Sequence, residues 1–261
     1  MIHQARKRFG QNFLQDTNVI NSIIGSAMLN ETQHWVEIGA GQGALTKRLI
    51  DKVKFLDVVE LDRDLVAFLQ RQFSAHVNWQ LHSADALQFD FSQLARENQK
   101  LRIIGNLPYN ISTPLMFHLL SHAYCIQDML FMLQKEVVDR LCALPDSKSY
   151  GRLSVMMQYY CKTEWLFDVP PESFQPVPRV MSAMVRLIPY EIPQVTITNV
   201  AVFERVVADA FSQRRKTLRN ALKKILPEYV FTDLNIDGDR RAETITLSEF
   251  AQLSNAIHAL H

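Results

Sequence analysis

Apolar runs alternate with helix-spaced apolar positions along the first 190 residues, and that alternation sets the fold class. The runs predict strands over His34–Ile38, Phe55–Glu60, Val77–Leu81, Leu101–Gly105, Met129–Leu133, Glu164–Val169 and Ala183–Ile188. Several are apolar at successive positions, the pattern of strands covered on both faces in a parallel sheet. Helical spacing fills the intervals at Ala44–Val53, Arg63–Phe73, Pro114–His122, Lys135–Ala143 and Leu153–Tyr160. The rhythm predicts a doubly wound α/β sheet.

Pro170, Pro171, Pro176, Pro178, Pro189 and Pro193 then punctuate the chain, and beyond them the pattern turns helical. Val207, Ala210, Phe211, Leu218, Ala221, Leu222 and Ile225 fall on one face of a predicted helix, with Arg215, Arg219 and Lys223 on another. Leu247–Leu260 predicts a final helix. The expected division is a domain over 1–190 and a helical one over 191–261, with the boundary near Tyr190.

Composition narrows the class. At 48% hydrophobic and 21% charged, the 261 residues are those of a globular protein with a sizeable core. No apolar run reaches the length of a membrane span, and no signal-peptide core follows Arg6-Lys7-Arg8, so no membrane association is expected. Cys125, Cys142 and Cys161 are odd in number and widely spaced, which predicts buried thiols in a reducing cytoplasm and no metal site. The net charge of +1 conceals an asymmetry: residues 203–226 carry +5, residues 1–15 carry +3, and the remainder carries −7. Positive charge gathered into two segments suits a polyanion partner, although a solvated helix face has the same composition.

Candidate chemistry lies at the ends of the predicted strands. Glu37-Ile38-Gly39-Ala40-Gly41-Gln42-Gly43 follows the first strand, and its glycines permit a tight turn and close approach of a ligand to the backbone. The spacing from Gly39 to Ala44 also satisfies a loose dinucleotide fingerprint. Glu60 ends the next strand, 21 residues after Gly39, where a carboxylate can accept both ribose hydroxyls of a nucleoside. Asp85, after the third strand, is positioned to accept from an adenine amine. Dinucleotides and S-adenosylmethionine both suit these features.

Asn106-Leu107-Pro108-Tyr109, after the fourth strand, separates them. An exocyclic adenine amine is a poor nucleophile, because its lone pair is delocalised into the ring. Attack on a sulfonium methyl requires that nitrogen to become tetrahedral. Acceptors aimed at its N–H groups favour the change: the Asn106 side-chain oxygen and the carbonyl of Leu107 or Pro108. Pro108 brings no competing N–H, and Tyr109 can stack on an extruded base. No strong base is needed, so orientation and electrostatics carry the catalysis. An ordinary Asn-Pro turn is the structural alternative.

On these residues the chain closely resembles the ribosomal RNA adenine dimethyltransferases, which modify two adjacent adenosines near the 3′ end of small-subunit ribosomal RNA. The resemblance spans nearly the whole sequence. Gly10-Gln11-Asn12-Phe13-Leu14 is similar to the family's Q-N-F-L segment, which implies that the backbone of Asn12 and Leu14 helps close over the cofactor. Glu37–Gly43 matches its first methyltransferase motif, Glu60 its ribose-binding acid and Asp85 its adenine-binding acid, which implies cofactor contacts at Gly39, Gly41, Glu60, Asp85 and Asn106. Asn106–Tyr109, continuing as Asn110-Ile111-Ser112-Thr113-Pro114, matches its N-L-P-Y-N-I-S-x-P. Phe174–Ser182 matches F-x-P-x-P-x-V-x-S, which implies that Phe174 stacks on the target base opposite Tyr109.

The resemblance implies a Rossmann-like class I methyltransferase domain with a mostly parallel seven-stranded sheet, and a small helical domain after it. Its cofactor would be S-adenosylmethionine. Its partner would be small-subunit ribosomal RNA in a pre-ribosomal particle, met in the cytoplasm by a monomer. The basic segment with Arg214, Arg215, Lys216 and Arg219 becomes a candidate RNA contact, as do Arg179 and Tyr150-Gly151-Arg152. Three alternatives share parts of the pattern: a large-subunit adenine methyltransferase conferring macrolide resistance, a non-catalytic factor retaining the fold, and an NAD(P)-dependent oxidoreductase. The long N-L-P-Y-N-I-S-T-P string favours the small-subunit enzyme over the first, and the intact acids at 60 and 85 weigh against the second.

Overall fold

The computed structural model describes residues 11–96, 99–213 and 215–260. In chain order the elements are β1 (Phe13–Leu14), α1 (Thr17–Ala27), β2 (His34–Ile38), α2 (Thr46–Leu49), β3 (Phe55–Glu60), α3 (Arg63–Gln72), β4 (Trp79–Ser83), β5 (Leu101–Asn106), α4 (Ser112–Leu120), β6 (Ile126–Gln134), α5 (Lys135–Leu141), α6 (Arg152–Tyr160), β7 (Cys161–Val169), β8 (Phe174–Gln175), β9 (Ser182–Pro189), α7 (Val200–Phe211), α8 (Leu218–Leu222), α9 (Glu228–Asp233) and α10 (Leu247–Ala259). Cα packing divides the chain into two compact units.

The first unit runs to Val138 and resumes over Glu164–Pro189. Its frame is a seven-stranded sheet in the order β4-β3-β2-β5-β6-β9-β7. From β4 to β6 all pairings are parallel, and β9 is antiparallel to β6. The expected α/β sheet therefore forms, with His34–Ile38 and Phe55–Glu60 at the expected bounds. Trp35, Leu56, Ile104 and Leu130 are buried in the same core cluster as Leu49, Leu69 and Phe73. Two buried polar clusters are paired within the sheet: Arg102 donates to both Asp128 oxygens at 2.7 Å and stacks over Trp35. Asp57 is held between His34 and His82, each at 2.6 Å. Burial alone would raise the Asp57 pKa; the bonds from the two imidazoles outweigh it and hold the carboxyl below its ordinary range.

Three differences from expectation have local causes. The helix expected over Ala44–Val53 shrinks to Thr46–Leu49, because Asn78 Nδ2 donates to the carbonyls of Ile50 and Val53 and diverts the chain toward β3. Helix α1 was not foreseen; Asp16 caps it by accepting from Asn18 and Val19 N–H, and Met28 ends it in the left-handed region. Strands β1 and β8 pair antiparallel over two residues each, too few to leave a periodic signal.

The second unit comprises Asp139–Thr163 and the chain from Tyr190. It thus includes α6, from a segment that sequence patterning assigned to the first domain. Side chains explain the membership: Ser154 Oγ donates to the Arg140 carbonyl, Gln158 Nε2 to those of Leu141 and Ala143, and Tyr150 Oη to that of Ile245. The continuous basic helix expected through 211–223 does not form. Helix α7 stops at Phe211, and α8 begins only at Leu218. Between them Thr217 makes a β-bridge with Arg241, and Leu218 and Arg219 N–H donate to the Arg240 and Gly238 carbonyls. Backbone committed to that bridge cannot also continue α7.

In the first unit, β2 and β5 meet with Glu37 opposite Ile104. One residue on, a Cβ at Gly105 would lie 2.6 Å from the Ile38 carbonyl oxygen and 3.0 Å from Leu107 Cδ2. Replacing Gly105 with Ala should therefore cost about 1–3 kcal/mol of stability, read from the midpoint of denaturant unfolding.

Candidate active site

Strands β2 and β5 are neighbours in the sheet, yet the chain leaves them for β3 on one side and β6 on the other. That reversal opens a crevice beyond their carboxyl ends, the place where doubly wound sheets bind ligands. A cavity of about 240 Å³ lies there. Asn12, Leu14, Gly39, Gly41, Glu60, Asp85, Asn106, Leu107, Pro108 and Tyr109 all line it.

Gly39 N–H donates to the Val59 carbonyl at 2.9 Å, which ties the start of the loop to β3. Gly41 has φ of +58°, and a Cβ there would lie 3.1 Å from Phe13 Cδ1. A side chain at Gly41 would both strain the turn and press on the segment that closes over it. Glu60 accepts from Gly41 N–H at 3.1 Å through one oxygen and from Asp62 N–H at 2.9 Å through the other. Burial raises its pKa, and the backbone donors moderate the rise. Asp62 caps α3 and receives Gln11 Nε2 at 3.1 Å. Asp85 accepts from Leu87 N–H at 3.0 Å, which holds its carboxylate at the cavity.

Asn106 Nδ2 donates to the Asn12 carbonyl at 3.0 Å. A carbonyl can only accept, so the amide nitrogen must face Asn12, leaving the side-chain oxygen to accept from elsewhere. Pro108 C=O accepts from Ile111 N–H at 3.1 Å and closes a turn. The Tyr109 hydroxyl lies 2.9 Å from Ser182 Oγ.

Phe174 does not line the cavity, although it pairs with Leu14, which does. It is 2% exposed, registered against Leu14, and packed in the core cluster rather than lining the cavity. Arg215, Lys216 and Arg219 belong to the second unit; Arg214 lies outside the described residues, as do Gly10 and the basic residues Arg6, Lys7 and Arg8. Arg215 and Lys216 are exposed, whereas Arg219 pairs with Glu228 at 2.7 Å and Asp239 at 3.6 Å. Sequence patterning placed Gln11 in the Q-N-F-L segment without a role of its own and passed over Asp62; their partnership joins segments 51 residues apart. It also left Glu37 without a role. Glu37 is buried at the cavity, accepts from Thr46 Oγ1 at 2.6 Å, and is raised by burial to a pKa of about 7.

This donor set distinguishes the two cofactor classes. A dinucleotide pyrophosphate needs loop N–H groups and positive potential. Here Gly41 N–H is already engaged by a carboxylate, and Glu37, Glu60 and Asp62 make the site acidic. That environment suits a cationic sulfonium with a ribose and repels phosphate. Fold and site together define an S-adenosylmethionine-dependent methyltransferase. The chain belongs to the ribosomal RNA adenine dimethylase family, whose model matches residues 2–259.

Its relatives include the ribosomal RNA small subunit methyltransferase A of Saccharophagus degradans, 53% identical, with 98% of this chain and 95% of the relative covered. The protein of the same description from Pseudomonas putida is 51% identical, with 98% and 96% covered. Among solved structures, a dimethyladenosine transferase from Plasmodium falciparum superposes with a TM-score of 0.81 at 24% identity, covering 95% of this chain and 98% of that one. The 23S rRNA methyltransferase ErmE gives 0.73 at 24% identity, covering 95% and 100%. These two share the fold.

The buried acid at 37 links stability to pH. Its folded pKa of about 7 lies above the ordinary 4.5, so the folded state holds a proton that the unfolded state releases. Its contribution is full below the lower value and is lost as pH rises through the upper one. Glu37→Gln should therefore gain on the parent protein in denaturant unfolding as pH rises from about 5 to about 8, by on the order of 3 kcal/mol.

Proposed function

We propose that the enzyme dimethylates the N6 amines of two adjacent adenosines near the 3′ end of small-subunit ribosomal RNA, acting as a monomer on a pre-ribosomal particle in the cytoplasm. The observation that carries the reading is the Asn106 amide, oriented by the Asn12 carbonyl in the same cavity as the glycine loop. Relatives at half identity over nearly the full chain, described as small-subunit methyltransferases, support that subunit as substrate. No described helix is long and apolar enough to cross a membrane.

Bound at this site, S-adenosylmethionine supplies an electrophilic methyl carbon. Glu60 accepts the ribose hydroxyls with the lone pairs not used by Gly41 and Asp62, Asp85 accepts from the adenine amine, and the backbone of Asn12 and Leu14 covers the cofactor. Asn106 Oδ1 and the Leu107 carbonyl accept the N–H groups of the target amine and favour its tetrahedral form. The Pro108 carbonyl accepts from Ile111 N–H and keeps one lone pair as a second candidate acceptor. Tyr109 stacks on the base. Phe174 would serve as a second stacking ring only after leaving the core, since it is 2% exposed. RNA phosphates are met by Arg214, Arg215 and Lys216; Arg219 contributes less, being paired with Glu228.

Replacing Asn106 with Ala should lower turnover at least about a hundredfold while calorimetry shows cofactor binding largely retained. Normal turnover would remove Asn106 from the chemistry. Methylation of each subunit from unmodified ribosomes should label the small one; labelling of the large subunit alone would overturn the substrate assignment. Neutralising Arg215 and Lys216 should reduce the slope of log affinity against log salt by about one to two. An unchanged slope would exclude that segment from the RNA interface.

A further inference from the structure

Tyr109 is held at two points that the chain separates widely. Its backbone lies in the turn beyond β5, where Ser112 Oγ donates to its carbonyl at 3.1 Å. Its phenol tip meets Ser182 Oγ at 2.9 Å. Ser182 is fully buried, begins β9, and is registered against Gln134 of β6. The preceding carbonyl, that of Met181, accepts from Lys135 N–H at 2.9 Å. The hydroxyl at 182 is therefore anchored in the sheet, whereas Tyr109 sits on a turn with its half-buried ring lining the cavity.

A tyrosine on a turn has two side-chain torsions to fix before its face can stack on a base. Packing at the cavity wall restrains one side of the ring only, because the other side must stay open to substrate. The phenol oxygen lies on the axis of the second torsion, so a hydrogen bond there fixes the first torsion, and with it where the ring sits at the cavity wall, while packing sets the second; the bond covers neither face. It also provides a physical reason for tyrosine over phenylalanine at this position, where a stacking face alone would require only the ring. We propose that Ser182 is a positioning residue for methyl transfer, its buried hydroxyl holding the Tyr109 ring at the place in the cavity wall from which it stacks on the target adenine. This rests on the stacking role of Tyr109.

The bond has two ends, so either can be removed. Ser182→Ala and Tyr109→Phe should each slow single-turnover methylation of unmodified small-subunit particles by about three- to tenfold, with the cofactor Kd unchanged. The double variant should be no slower than the worse single variant, because both substitutions delete one interaction. Losses that multiply in the double variant would overturn the proposal, as would full rates in both single variants. If Ser182→Ala fails to fold, Tyr109→Phe decides alone, since it alters only a half-buried ring: a parental rate overturns the proposal. Tyr109→Ala separates the two layers. Parental activity in that variant would remove stacking itself; inactivity there, with Tyr109→Phe at full rate, would keep stacking and discard the restraint from Ser182.

Discussion

The close approach of β2 to β5 is the constraint on which the site depends. Gly105 contributes no side chain, and the space a methyl would need is filled by the Ile38 carbonyl. The register that pairs Glu37 with Ile104 then brings the turn after β2 beside the turn after β5. Gly39 and Asn106 become neighbours, with a Cβ position at Gly39 only 3.9 Å from the Asn106 carbonyl oxygen. The glycine loop and the Asn106–Tyr109 turn thus follow two adjacent strands of one ladder. Neither could move without disturbing the parallel ladder between them.

On that frame the cavity is organised by carboxylates that accept from backbone N–H groups and, at Asp62, from a side-chain amide as well. Glu60 fastens Gly41 and Asp62, Asp62 fastens Gln11, and Asp85 fastens Leu87. Each bond orders a loop, and Glu60, Asp62 and Asp85 all line the cavity. The cost appears in the raised pKa values of Glu37 and Glu60, both caused first by burial. A cationic ligand offsets that cost, and an anionic one adds to it. The same buried acids therefore favour a cationic ligand over an anionic one.

The second unit shows a different economy. Its helices pack through Tyr159 against Phe203 and Phe211 against Phe250, with ring centroids 5.2 and 5.7 Å apart. The chain between α7 and α8 is drawn into a bridge with Arg241 rather than into helix. Arg215 and Lys216 sit on that non-helical stretch, free of the three- and four-residue spacing that a helix would impose. Arg219, the second residue of α8, pairs with Glu228 and Asp239. Basic composition identified the segment; local backbone commitments decided which of its cations face solvent.

Much of the molecule was legible in the order of residues alone. Apolar strands with polar ends, glycines at strand-to-turn junctions, acids at 60 and 85 and the tetrapeptide at 106–109 are local patterns, and local sterics and hydration suffice to interpret them. What escaped depends on contacts between distant segments. Gln11 with Asp62, Tyr109 with Ser182, the burial of Phe174 under β1, and the passage of Asp139–Thr163 into the second unit leave no periodic trace. The chain order specifies which groups exist and which element carries them. Packing specifies their partners, because a hydrogen bond across 73 residues depends on how strands are registered and not on spacing along the chain.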